Sequence, residues 1–189
     1  AMENSLSGLE FAHGIPGSLG GGVVMNAGAY DGEMKDVIKS VRLLDENFHV
    51  IEVPCQDMNF SYRHSLVQER GLVVLGATFS LSRGNKDDIR EKYGEFDRRR
   101  AEKQPLDMPS AGSTFKRPRG YFAGKLIDDS GLRGFTHNGA GISEKHCGFV
   151  VNKDKATARD VLETIEIVQK VVHDKFGVNL EREVKIIGD

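Results

Sequence analysis

Thr157-Ala158-Arg159-Asp160-Val161-Leu162-Glu163-Thr164-Ile165-Glu166-Ile167-Val168-Gln169-Lys170-Val171-Val172-His173-Asp174-Lys175-Phe176-Gly177 carries the pattern of a complete amphipathic helix. Val161, Leu162, Ile165, Val168, Val172 and Phe176 recur at the spacing that lines one face. Thr157 and Asp160 form the pattern of a capping box, and Gly177 supplies a residue that turns left-handed at little cost. The pattern predicts a helix over 158–176 whose apolar face must lie on something else. Working back along the chain, residues 37–44 and 48–53 flank the polar turn Asp45-Glu46-Asn47 and read as a hairpin, and residues 72–81 read as a further β-branched strand. Helical spacing returns over 86–103, with Ile89, Tyr93 and Phe96 on one side and Asn85 as N-cap. A short helix follows over 122–130, stopping at Gly131, and a short strand over 184–187 ends the pattern. Strands in one block and helices in others predict an α+β fold in two lobes that divide between residues 84 and 105.

Composition narrows the function. With 189 residues, 39% of them hydrophobic and 29% charged, disordered and fibrous classes drop out. The formal charge is -2 with basic residues spread along the chain, so no nucleic-acid partner is expected. The only cysteines, Cys55 and Cys147, lie far apart, which argues against a disulfide framework or zinc site and suits a reducing cytosol. Apolar runs are only a few residues long and no leader pattern opens the chain, so neither a membrane span nor secretion is expected. His13, His49, His64, His137, His146 and His173 show no metal-binding spacing, and no metal is expected.

Five stretches carry candidate chemistry. His13-Gly14-Ile15-Pro16-Gly17-Ser18-Leu19-Gly20-Gly21-Gly22 concentrates residues without bulk, which suits backbone amides converging on a phosphate as well as a purely structural turn. It matches neither the P-loop nor the Rossmann fingerprint. Tyr62-Arg63-His64-Ser65 offers a guanidinium suited to a carboxylate, or an ordinary surface turn. Arg98-Arg99-Arg100 and Lys103 either complement a helix dipole or meet a phosphate at the lobe boundary. Gly112-Ser113-Thr114-Phe115-Lys116-Arg117-Pro118 places a hydroxyl before two cations without the elbow of a hydrolase nucleophile, and Glu181-Arg182-Glu183-Val184 places carboxylates at a strand start, where Glu183 either points into a cleft or is a solvated edge charge.

The order of these blocks resembles the UDP-N-acetylenolpyruvoylglucosamine reductase family. The resemblance is carried by Gly8-Leu9-Glu10-Phe11-Ala12, Gly14-Ile15-Pro16-Gly17-Ser18, Met25-Asn26-Ala27-Gly28-Ala29-Tyr30, Tyr62-Arg63-His64-Ser65 and Arg100-x-x-Lys103-x-Pro105. It continues through Gly112-Ser113-x-Phe115-Lys116-x-Pro118, Ala123-Gly124-Lys125-Leu126-Ile127, Gly148-Phe149-x-Val151-Asn152 and Glu183-Val184-x-Ile186-x-Gly188, across essentially the whole chain. It implies the second part of a two-subdomain FAD-binding lobe over 1–84, a connecting helix over 85–105, and a smaller α+β substrate-binding domain over 106–189. FAD contacts are implied for Gly14, Ile15, Pro16, Gly17, Ser18, Gly20, Gly21, Asn26, Ala27, Gly28, Ala29, Tyr30 and Arg100. Lys103, Arg117 and His146 would bind the nucleotide-sugar. Hydride would pass from NADPH through FAD to the enol ether, with Arg63 and a protonated or proton-sharing Glu183 stabilising the enolate-like species and Ser113 protonating its carbon.

The first FAD subdomain, with its own phosphate loop, is absent from this sequence. The short connection from Tyr62 to the strand at 72 matches the family branch without an extra tyrosine-bearing loop. A bacterial cytoplasmic enzyme of peptidoglycan precursor synthesis is implied. Two alternatives stay open. One is a catalytically incompetent nucleotide-sugar-binding fragment; truncation would account for its missing subdomain, and an exposed apolar face on strands at 22–28 or 72–81 would favour truncation. The other is a different flavin-dependent oxidoreductase of the same broad fold.

Overall fold

In the computed structural model, which describes residues 1–188, the chain divides after Arg99 into two units, and the fold is α+β. The first unit opens with β1 (Leu6–Ser7), α1 (Leu19–Val24) and the ribbon of β2 (Gly28–Ala29) with β3 (Gly32–Glu33). Its main sheet follows: β4 (Ile38–Leu44) lies between β5 (Val50–Pro54) and, after the short α2 (Leu66–Arg70), β6 (Val73–Phe79), all antiparallel. Then β7 (Ser82–Arg83) pairs back onto β1, and α3 (Lys86–Lys103) begins.

The spacing of buried residues on β4 explains its irregular register. Val41 and Leu43 alternate with exposed Arg42, as a half-buried strand requires, but Ile38 is buried three positions before Val41. The pairing with β6 slips between Ile38 and Ser40, and the extra residue returns Ile38 to the core face. That face packs with Phe11, Val23, Met34, Met58 and Val67. The opposite face is partly apolar: Val50, Val73 and Leu75 are exposed, and Phe48 at the hairpin tip is 82% exposed.

The glycine-rich segment departs from expectation. Instead of a strand over 22–28, residues 19–24 wind into α1, because Ser18 caps the turn by accepting the Gly21 amide at 3.1 Å. Helix α3 matches its predicted bounds, with Asn85 Oδ1 accepting the Asp87 amide at 2.8 Å. Within the first unit its aromatic residues dock by ring contact, Tyr93 against His13 at 4.1 Å and Phe96 stacked on Tyr30 at 4.2 Å.

The second unit contains α4 (Ala123–Asp129), an antiparallel sheet ordered β10–β9–β8 from β8 (Thr136–His137), β9 (Ala140–Ile142) and β10 (Val150–Asn152), and α5 (Ala158–Phe176). Helix α5 lays Ile165, Val168 and Val172 on this sheet and on α4, around Phe115, Ile127 and Ile142. Its capping box is formed on both sides, Thr157 Oγ1 accepting the Asp160 amide at 3.2 Å and Asp160 accepting the Thr157 amide at 2.8 Å. The strand expected over 184–187 does not form. Ile186 is 51% and Ile187 96% exposed, and pairing stops at a single bridge between Arg182 and Phe115, because no strand among the described residues lies alongside the segment beyond it.

Gly177 ends α5 at φ 66°, donating to the His173 carbonyl, and a methyl group there would meet nothing within 4 Å. Gly177→Ala therefore isolates left-handed strain, and urea unfolding should show a loss of about 1 kcal/mol.

Candidate functional site

The residues singled out from sequence fall into three local arrangements. The first is the glycine-rich run of the first unit, whose glycines have different reasons for lacking a side chain. At Gly28 a Cβ would lie 2.7 Å from the Gly32 carbonyl oxygen, so packing requires glycine there; at Gly22 it would lie 2.9 Å from the Met34 methyl, the end of a flexible side chain that can give way. Gly14 and Gly17 adopt positive φ, 75° and 144°. Gly20 and Gly21 have neither reason: their nearest would-be contacts are ordinary, at 3.8 and 3.6 Å, and no positive φ is involved. Gly14, Pro16, Gly17, Ser18 and Gly21 are exposed, Ile15 and Gly20 half-buried. Among the described residues, no group accepts a hydrogen bond from the amides of Leu19 or Gly20.

Asn26 is fully buried at φ 42° with its side chain committed within the protein. Its amide nitrogen donates to Glu33 Oε2 at 2.7 Å and to the Ser61 carbonyl at 3.2 Å, while its oxygen accepts the Lys35 amide at 2.9 Å. Ala27, Gly28 and Ala29 run on from it, half-buried, into the β2–β3 ribbon. Tyr30 and Asp31 form the ribbon's turn, both left-handed, and the Tyr30 hydroxyl donates to the Phe96 carbonyl at 3.3 Å.

The second arrangement is the turn Ser61–His64, closed by reciprocal backbone bonds of 3.2 and 3.1 Å. Arg63 sits at its tip at φ 57°, a conformation costly for a residue with a side chain, with its guanidinium 4.8 Å from the Tyr62 ring centre. The turn is anchored from behind: Gln68 Nε2 donates to the Arg63 carbonyl at 3.1 Å and to the Val24 carbonyl at 2.7 Å, and the Ser65 hydroxyl donates to that same Val24 carbonyl at 2.8 Å. His64 bonds Glu69 at 2.7 Å, and this contact, followed by one from Asn59, holds the Glu69 carboxyl below the usual range.

The third arrangement belongs to the second unit and joins two segments far apart in sequence. The Lys116 amide donates to the Glu181 carbonyl at 2.8 Å, and the Glu183 amide donates to the Thr114 carbonyl at 2.9 Å. Lys116 and Glu181 also form an ion pair. Thr114, the neighbour of Ser113, thereby lies opposite Glu183 in the backbone pairing, with Ser113 exposed and Glu183 half-buried. Behind Ser113, the Thr114 amide donates to the Gly148 carbonyl at 2.8 Å, and a Cβ on Gly148 would lie 3.7 Å from Ser113 Oγ and 2.9 Å from His146 Cε1. His146 Nδ1 accepts the Gly148 amide at 3.0 Å, which leaves the proton of the neutral ring on Nε2. Burial, then the positive charges of Arg133 and Lys103, depress the His146 pKa.

Arg117 lies 4.0 Å over the Phe122 ring, Arg100 is buried, and Lys103 is exposed on the last turn of α3. Thr114 and Gly148 fell within quoted stretches but were given no role from sequence; nothing in residue type or spacing marks a threonine beside a serine, and what they hold is visible only in the hydrogen bonds. Among the described residues no cluster of His, Cys, Asp and Glu side chains is arranged to hold a metal ion, and no helix is long and apolar enough to cross a membrane.

Comparison with known proteins gives these arrangements a context. Residues 104–187 match the family described as UDP-N-acetylenolpyruvoylglucosamine reductase, C-terminal domain. Curated proteins bearing that reductase's name are similar along the chain. The one from Caldanaerobacter subterraneus is 57% identical over 100% of this chain and 63% of its own length, and one from Clostridium perfringens is 57% identical over 100% of this chain and 62% of its own. The crystal structure of UDP-N-acetylenolpyruvylglucosamine reductase from Thermus caldophilus superposes with a TM-score of 0.85 at 38% identity, covering 97% of this chain and 66% of that one. The chain, spanning roughly three-fifths of the length of its curated relatives, belongs to the UDP-N-acetylenolpyruvoylglucosamine reductase family.

Proposed function

We propose that this chain takes part in the NADPH- and FAD-dependent reduction of UDP-N-acetylenolpyruvoylglucosamine to UDP-N-acetylmuramic acid, a cytoplasmic step of bacterial peptidoglycan precursor synthesis. The observation that supports this reading is the backbone join of residues 114–116 to 181–183, which links the segment carrying Ser113 to the segment carrying Glu183 in a chain 57% identical to proteins of that name. In this reading residues 1–84 belong to the flavin lobe, 85–105 connect, and 106–189 hold the nucleotide-sugar.

The glycine-rich run fits the diphosphate of FAD. Among the described residues nothing crowds a side chain at Gly20 or Gly21, and the Leu19 and Gly20 amides remain available to an anion that approaches the backbone closely. Gly14, Ile15, Pro16, Gly17 and Ser18 would complete the contact. Asn26, Ala27, Gly28, Ala29 and Tyr30 would contribute through backbone and ring, since the Asn26 amide group is already spent. Arg100 would lie near the flavin. When bound, FAD supplies the relay of hydride from NADPH to the enol ether's methylene carbon.

The chain's own groups handle charge and proton. Negative charge develops on the carbon bearing the carboxylate, where Arg63 pairs with that carboxylate and Glu183, protonated or sharing a proton, donates to the enolate oxygen. Ser113 Oγ gives a proton to the carbon and regains one from solvent, so the substrate gains one hydride and one proton overall. Lys103 and Arg117 hold the diphosphate and sugar, and His146 donates from Nε2 to the nucleotide-sugar, its Nδ1 being occupied.

One observation favours a second reading, a nucleotide-sugar-binding fragment without catalysis: Val73 and Leu75 are exposed on the 72–81 strand, as truncation of a covering lobe would leave them. Anaerobic NADPH titration with FAD separates the two. Flavin bleaching followed by reoxidation on adding the enolpyruvyl substrate supports the reductase. Calorimetric binding of the nucleotide-sugar without flavin binding supports the fragment.

Two predictions follow from these assignments. Gly21→Ala should raise the stability of the flavin-free protein by about 0.5–1 kcal/mol, since alanine favours the helix and meets only Ser18 Oγ at 3.6 Å, while weakening FAD binding; paired thermal melts and flavin titrations check both signs. For His146, the folded pKa lies below the ordinary value near 6.5, so its contribution to stability is complete above that value and is lost as pH falls through the folded pKa. Imidazole NMR should show a depressed midpoint, with the Gly148 amide shifting in step as its acceptor is protonated.

A further inference from the structure

We propose that Thr114 is the positioning residue of this site, fixing the backbone next to Ser113 and the backbone of Glu183 through three hydrogen bonds of its own, an inference that rests on the functional reading above. Its amide donates to the Gly148 carbonyl at 2.8 Å, its carbonyl accepts the Glu183 amide at 2.9 Å, and its hydroxyl oxygen accepts the Val150 amide at 2.9 Å. These bonds reach the loop before β10, the first residue of β10, and the segment 181–183. Thr114 is 2% exposed, and its branched Cβ restricts the rotamer that aims Oγ1 at Val150.

Ser113 has no comparable support. Among the described residues nothing hydrogen-bonds to its backbone or side chain, and the residue before it, Gly112, is left-handed at φ 84°. The position of Ser113 Oγ is therefore inherited from Thr114. The position of the Glu183 backbone depends on the same residue from the other side. A proton donor and a charge-stabilising carboxyl need mutual placement to within an ångström or so, and one residue that bonds the strand, the loop and the carboxyl-bearing segment supplies it. A valine has the same shape as threonine but offers Val150 no acceptor, so the strand-side bond is removed while volume is retained.

The test uses Thr114→Val and Thr114→Ser in flavin-loaded protein, following the two half-reactions separately. Reduction of the flavin by NADPH should keep its wild-type rate in both variants. Reoxidation by the enolpyruvyl substrate should slow by about 100-fold in the valine variant, with KM changed less than about threefold, and recover to within about tenfold in the serine variant. As a readout independent of activity, hydrogen exchange at the Val150 and Glu183 amides should accelerate in the valine variant and stay protected with serine. A purely structural role would lower both half-reactions together, or neither, and would overturn the proposal. Should the valine variant fail to fold, Thr114→Ala, which leaves room for a water to reach the Val150 amide, is expected to show the same split. Wild-type protein inert toward the substrate overturns the functional reading and this proposal with it; an active wild type with an equally fast valine variant overturns this proposal alone.

Discussion

Buried backbone that is neither helix nor sheet must still find hydrogen-bond partners, and in this protein a few side chains meet that constraint. Much of the first unit runs as turns, two-residue strands and short 3-10 segments, which satisfy few of their own amides and carbonyls. Asn26 serves three points from one buried amide group, tying the segment after α1 to Glu33, Lys35 and the turn at Ser61. Ser65 and Gln68 both cover the Val24 carbonyl at the end of α1. Asn152 in the second unit accepts the Ala156 amide and donates to the Ala156 carbonyl, closing the approach to α5. The side-chain positions that chemistry needs are set by these local bonds more than by regular elements.

How much of this was legible depended on how far each element relies on its own sequence. Helix α5 carries its cap, its stripe and its stop within a single stretch, and its observed bounds match 158–176. Helix α3 and the strands β4, β5 and β6 were recognisable for similar reasons. The β8–β9–β10 sheet was not, because strands of two and three residues are too short for periodicity to register, and their burial comes from α5 lying across them. The tail at 184–187 has the composition of a strand, but no strand among the described residues lies beside Ile186 and Ile187; a strand needs a partner that composition does not report.

The site was legible in a different way. Arg63, Ser113 and Glu183 stood out only as blocks in a familiar order, whereas the physical reasons for their placement were hidden: a left-handed arginine held by Gln68, and a buried threonine joining three segments. The glycine-rich run was ambiguous for a plain reason. Glycine is needed for packing against backbone at Gly28 and for positive-φ backbone at Gly14 and Gly17, and only once those are accounted for do Gly20 and Gly21 stand apart. Composition counts all of them alike. Left-handed Arg63 and helical Gly20 and Gly21 both spend stability on local geometry, as sites adapted to ligands commonly do.

The join between residues 114–116 and 181–183 also bears on how the protein folds. The paired residues Lys116 and Glu181 are 65 positions apart, so the contact closes a loop that contains α4, the whole β8–β10 sheet and α5. Closing such a loop costs entropy that only the enclosed elements can offset once they have packed. The helix and small sheet are made from nearby residues and can assemble early, while the edge that joins residues 114–116 to 181–183 waits for them. The second unit would thus acquire most of its core before this join, and a folding intermediate rich in native helix would still lack it.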